Sequence, residues 1–250
     1  MKSDFYDIYA SAEERHWWFL WREGMIESLV RSLSPAPETK IIDVGCGTGM
    51  MVEGLGGYGR TVGVELASEA LAYCRKRGVP AVQGTVLSLP IRANAGEIIM
   101  SLDLIEHVDD DVAALREIHR ILKPGGVVII TVPAFQVLWS SHDEVNLHRR
   151  RYTTRQLRSA VEAAGFQTVR LTYTNTALFL PVLAFRMLKK VLRRGANGST
   201  ASEADIGHVP APLNWLLLRL LRAETWAFGN MKRPFGVSIL MVARKQDQSG

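Results

Sequence analysis

Between residues 40 and 166, short apolar runs alternate with helix-patterned stretches, and this alternation restricts the fold more than any other feature of the chain. Runs at 40–44, 61–65, 81–84, 97–102 and 127–132 are rich in Val, Ile and Leu and bounded by turn residues, which predicts strands buried on both faces. Helices are expected to begin near Thr48, Ser68 and Asp110, the last ending at Lys123 before Pro124-Gly125-Gly126, read as a turn into the fifth strand. Strands linked by crossover helices run parallel. A helix at 154–164 and strands at 168–174 and 235–244 complete the expected α/β fold, a Rossmann-like, seven-stranded, mostly parallel sheet.

The core is expected to span 35–175 and 235–244. Three segments lie outside it: an amino-terminal helical lid, 1–34; an apolar, basic helical insertion, 176–234; and a disordered tail, 245–250. The lid carries Trp17, Trp18, Trp21 and Arg22 and stops before Pro35 and Pro37. The insertion reads as two helices, 176–194 and 212–228, joined by a low-complexity linker around Gly195.

With 47% hydrophobic and 22% charged residues in 250, one large core is feasible. Cys46 and Cys74 are the only cysteines, too few for a disulfide framework or a four-cysteine zinc site, so a reducing compartment is expected. The start of the chain lacks a signal-peptide core, and no run reaches the ~18 apolar residues of a membrane span. The expected location is cytoplasmic, in solution or peripheral at the inner membrane face. A net charge of +5 suits nucleic acid, an anionic membrane surface or an acidic substrate. Nucleic acid is disfavoured, because the basic residues are not interleaved with aromatic stacking positions. Oligomeric state is not legible.

The first strand runs into Asp43-Val44-Gly45-Cys46-Gly47-Thr48-Gly49. Glycines there let the backbone turn sharply and approach a ligand, and the following helix offers free N–H groups. A dinucleotide site would want its third glycine one place later, where this chain has Met50. Glu65, at the end of the second strand, is placed to accept both hydroxyls of a ribose.

These residues, with Leu89-Pro90, Leu104-Ile105-Glu106-His107-Val108 and the stretch Leu115 to Gly126, resemble the class I S-adenosylmethionine-dependent methyltransferases. The opening His16-Trp17-Trp18-Phe19 is similar to that of one subgroup. The resemblance implies S-adenosyl-L-methionine as cofactor. Gly45, Cys46 and Gly47 would meet its methionyl part, Glu65 its ribose and Leu66 its adenine. The third-strand loop, here Thr85, would cap the adenine amine, and Val86 and Ser101 are counted among the cofactor contacts. Arg22 is expected to reach the methionyl carboxylate.

Methyl transfer to a hydroxyl or ammonium also needs a base. Loop 133–152 offers His148 first and His142 second, although loop histidines also serve simply as hydrogen-bond partners of the backbone. Arg150 and Arg151 could receive an anionic group or merely flank a helix. Asp103, Glu106 and His107 resemble an acid-x-x-Glu-His element that binds a divalent metal in ubiquinone-pathway O-methyltransferases. The Glu-His pair is equally structural in relatives without metal, and no metal is assigned.

The inserted helices set apolar blocks beside Arg186, Lys189, Lys190, Arg193 and Arg194, which suits either an anionic membrane surface or a protein-covered substrate lid. The expected function is methyl transfer to a small-molecule acceptor, lipid-linked or anionic. An RNA methyltransferase and a non-catalytic cofactor-binding subunit are the rivals.

Overall fold

The computed structural model describes residues 3–193, 209–228 and 231–246. Its strands are β1 (Lys40–Val44), β2 (Arg60–Glu65), β3 (Ala81–Gln83), β4 (Gly96–Leu102), β5 (Leu122–Pro133), β6 (Phe166–Thr174) and β7 (Ser238–Lys245). They form one seven-stranded sheet in the order β3-β2-β1-β4-β5-β7-β6. The pairs among β1 to β5 are parallel, and β7 is antiparallel to both β5 and β6. The fold is therefore the Rossmann-like, mostly parallel sheet expected from the alternation. Chain order reverses at β1, which lies between β2 and β4, so the loops leaving β1 and β4 diverge and open a crevice.

The helices are α1 (Ser3–Glu13), α2 (Trp17–Ser32), α3 (Met50–Gly54), α4 (Ser68–Arg77), α5 (Asp111–Ile121), α6 (Ser141–Val145), α7 (Thr154–Ala163), α8 (Thr176–Arg193) and α9 (Ala211–Phe228). The pleat of a strand sends successive side chains to opposite faces. Both faces of this sheet are covered, so Ile41 and Ile42 are each buried, but in different clusters. Ile42 joins Leu115 and Ile118 of α5 and Leu157 of α7. Ile41 joins Trp21 and Ile26 of α2 and Leu221 of α9. The inserted helix α9 thus shares a layer with the amino-terminal helix, and Trp21 Nε1 donates to Thr225 Oγ1 at 2.9 Å.

Several boundaries differ from expectation: β6 begins at Phe166, β7 begins at Ser238 and α5 ends at Ile121. Pro124-Gly125-Gly126 lies inside β5, as a register shift opposite Gly96 and Ile98 that Gly125 accommodates at a φ of 72°. Lys245, expected in the tail, ends β7. Its ammonium donates to Asn94 Oδ1 and to the carbonyls of His119 and Leu122, which holds the residue in the sheet. The linker around Gly195, Arg194 and residues 247–250 lie outside the described residues.

Candidate active site

Three left-handed glycines shape the loop after β1: Gly45 at φ 78°, Gly47 at 55° and Gly49 at 87°. The N–H groups of Gly45 and Cys46 both donate to the Val64 carbonyl, which ties the loop to β2. At Gly49 a Cβ would meet Val79 and the Cys74 sulfur. At Gly47 it would meet nothing within 4 Å, so the bare side of that residue faces open space. Gly47 also donates to Glu65 Oε2 at 3.0 Å, while Ala67 donates to Oε1 at 2.9 Å. The carboxylate of Glu65 is thereby held between the glycine loop and the start of α4.

A cavity of about 390 Å³ opens beside this loop. Asp43 lines it, and burial, followed by the countering charge of Arg22, leaves that carboxyl pushed up to about 7. The amino-terminal helices form a second wall. His16 caps α2 by accepting from the Trp18 N–H at 3.3 Å, which sets the Trp17-Trp18-Phe19 turn over the opening. Arg22 donates to Asp103 at 2.8 Å with its guanidinium 4.6 Å from the centre of the Trp18 ring. Glu13 of α1 accepts from Thr48 in the glycine loop, and its burial raises its pKa.

The far wall comes from the segment after β5. Asp143 is fully buried and receives Arg151 Nε at 2.7 Å, Arg151 Nη2 at 3.0 Å and His148 Nδ1 at 2.9 Å. Burial opposes its ionisation, but the bonds from His148 and Arg151 outweigh that and hold it well below the usual carboxylate range. An ionised Asp143 can only accept, so His148 carries its proton on Nδ1. The His107 ring meets His148 edge-on at 4.6 Å, and burial lowers the His107 pKa to about 4. Beneath them Glu106 is fully buried, with neither carboxylate oxygen bonded, and burial raises its pKa well above normal.

Residues 42–130 match the family described as methyltransferase domain. The demethylmenaquinone methyltransferase of Corynebacterium kroppenstedtii is 30% identical over 49% of this chain and 55% of its own. The ubiquinone biosynthesis O-methyltransferase of Thiobacillus denitrificans is 30% identical over 41% of this chain and 47% of its own. Residues 42–130 thus form a methyltransferase domain, similar to that of S-adenosylmethionine-dependent methyltransferases. A SAM-dependent methyltransferase structure from Thermotoga maritima shares the fold, with a TM-score of 0.61, 20% identity and coverage of 97% of this chain and 98% of that one. The chain spans about half the length of the two curated relatives named here.

The cavity brings Gly45, Cys46 and Gly47 of the matched domain together with Arg22 before it and His142 and His148 after it. Glu65, Leu66, Thr85, Val86 and Ser101 do not line it. Glu65 accepts from the Gly47 N–H of the loop, and Leu66 is exposed. Thr85 turns its hydroxyl to the Leu87 N–H, Val86 is buried, and Ser101 is buried in β4. His142 lies 6.1 Å from the His148 ring, in α6. Arg150 bonds Asp111 and the carbonyls of Val108 and Asp109, and Arg151 is taken up by Asp143. Both act as structural ties in the fold. Tyr9, Glu13 and Arg186 also line the cavity. Nothing in the local sequence separates Tyr9 and Glu13 from ordinary helix residues, and Arg186 stands out only as one of a basic run, because only the docking of α1 and α8 turns them toward the glycine loop.

Proposed function

We propose that this chain transfers the methyl group of S-adenosylmethionine to a small-molecule acceptor, with His148 as the base. The observation carrying this reading is one cavity that joins Gly45, Cys46 and Gly47 to a histidine oriented by a buried carboxylate. The acceptor's nucleophilic atom attacks the methyl carbon in line, the carbon–sulfur bond breaks, and S-adenosylhomocysteine leaves. His148 Nε2 takes the acceptor's proton, and Asp143 stabilises the imidazolium that forms. The sulfonium arrives activated, so the protein's task is alignment and exclusion of water, to which Trp17, Trp18 and Phe19 contribute at the opening. Relatives named for demethylmenaquinone and for ubiquinone biosynthesis support an apolar, lipid-linked acceptor.

Calorimetry with S-adenosylhomocysteine tests the cofactor half. Glu65→Ala should weaken binding by roughly 1.5–3 kcal/mol, the worth of hydrogen bonds to a charged group. An unchanged Kd would remove Glu65 from the ribose. His148→Asn should bind the cofactor normally and lose methyl transfer to a reduced quinone, and retained turnover would remove His148 as the base.

A second reading is favoured by the unbonded oxygens of Glu106. One ligand atom each from Glu106, His107 and His148 lie within 4.8 Å of one another. Carboxylate and imidazole suit magnesium, manganese or zinc, and a cation there would engage the unbonded Glu106 oxygens. It would also occupy His148, so the two readings exclude each other at that ring. Titration with manganese alone separates them: saturable binding abolished by Glu106→Gln supports the cation, and no binding supports the base.

A further inference from the structure

The exposed sides of α8 and α9 are apolar along most of their length. On α8, Leu180, Phe185 and Leu188 are exposed, with Leu180 at 64%. On α9, which contacts α8, Leu216, Leu220 and Trp226 are exposed as well, Trp226 at 89%. Such concentration of large apolar side chains marks an interaction face.

Charge identifies the occupant. Within 176–193 there is no acidic residue, and within 211–228 the only one is Glu224. Glu224 is buried, caps the first N–H groups of α8 and bonds Arg233. The described exposed charges on these two helices, Lys189, Arg219 and Arg222, are therefore all cationic. Two of them pair with ring faces: Lys189 lies 4.6 Å from the Phe185 ring centre and Arg219 lies 5.3 Å from that of Trp215. A second copy docked by a two-fold axis would set these cations against their own copies. An anionic headgroup layer instead accepts cations at its surface and aromatic rings just below. No described helix is long and apolar enough to cross a membrane, so these helices would lie on it.

The inner side of α8 is part of the acceptor cavity, through Val182 and Arg186. One helix thus separates the cavity from the apolar face, a thickness of about 10 Å.

We infer that α8 and α9 dock on an anionic lipid bilayer, and that the acceptor is an amphiphile drawn from it, its polar head in the cavity and its tail along α8. The inference rests on the methyltransferase reading above for the identity of the cavity. The bilayer side can fail alone.

The test is co-sedimentation of the full chain with vesicles of phosphatidylcholine, alone or mixed with phosphatidylglycerol. Binding should require phosphatidylglycerol and fall as salt rises. Each basic residue at such a surface contributes a factor of about five, so the triple variant Lys189→Gln, Arg219→Gln, Arg222→Gln should partition ~100-fold less. Trp226→Ser should weaken binding with those charges intact. Calorimetry with S-adenosylhomocysteine on the same proteins should be unchanged, since none of these residues lines the cavity. No binding at low salt, or equal binding by the triple variant, overturns the inference. So does a wild-type dimer in light scattering that Trp226→Ser dissociates, because a second copy would then cover the face. Intact cofactor binding in any of these cases leaves the methyltransferase reading standing.

Discussion

Arg22 of α2 donates from Nη1 to Oδ2 of Asp103 across 2.8 Å and so joins the amino-terminal helices to the end of β4. Asp103 holds a φ of 52°, a conformation disfavoured for a residue with a Cβ, and presents its carboxylate to this one guanidinium. A ligand carboxylate beside Gly47 would compete for the same donor. Arg22→Gln is therefore expected to weaken S-adenosylhomocysteine binding by about 1.5–3 kcal/mol. Calorimetry decides, and an unchanged Kd would leave α2 a packing role only.

Gly47 and Gly49 share a left-handed backbone but should respond differently to alanine. A Cβ at Gly49 meets Val79 Cγ2 at 2.7 Å and Cys74 Sγ at 3.0 Å, so Gly49→Ala adds overpacking of about 1–3 kcal/mol to backbone strain. Gly47→Ala meets only the strain, roughly 1–2 kcal/mol, and places its methyl where a ligand would lie. Thermal unfolding should rank Gly49→Ala as the less stable. Calorimetry should find Gly47→Ala folded and poor at binding; wild-type affinity there would move the ligand elsewhere.

Asp43 predicts a pH dependence of folding without ligand. Burial pushes its carboxyl up to about 7, against about 4 in an unfolded chain. The folded state thus holds the proton more tightly. The associated stability is fully present below about pH 4 and is lost as pH rises through about 7. Glu106, also raised by burial, slopes the same way, so the informative quantity is the difference between wild type and Asp43→Asn. Urea unfolding at pH 5 and pH 8 should show a smaller loss in Asp43→Asn; parallel losses would acquit Asp43.

Asp143 and His148 separate stability from turnover. Asp143→Ala strands the buried Arg151 guanidinium without its partner, which should cost about 3–5 kcal/mol. His148→Asn keeps the Asp143–Arg151 pair, so its thermal midpoint should stay near that of wild type while methyl transfer falls. Equal stability of the two variants would show that Arg151 finds other compensation.

Local patterning in the chain determined the order of strands and crossover helices, the glycine loop and the acid at Glu65. Strand period, turn residues and the absence of a Cβ act within a few residues, so they can be read from neighbours. For the same reason His148 stood out as a polar residue in a loop that must lie at the carboxyl edge of the sheet. Its partnership with Asp143, and the diversion of Arg150 and Arg151 into structural bonds, depended on the fold of loop 133–152. Lys245 looked like tail because the carbonyls it caps belong to His119 and Leu122, far along the chain. Arg186, one of a basic run in sequence, turns into the cavity because α8 has an apolar outer side and a cavity-lining inner one. Periodicity marks which residues share a face, but which face meets the site is decided by long-range packing, and the pairing of α2 with α9 on one face of the sheet is set only when both have apolar surface to bury.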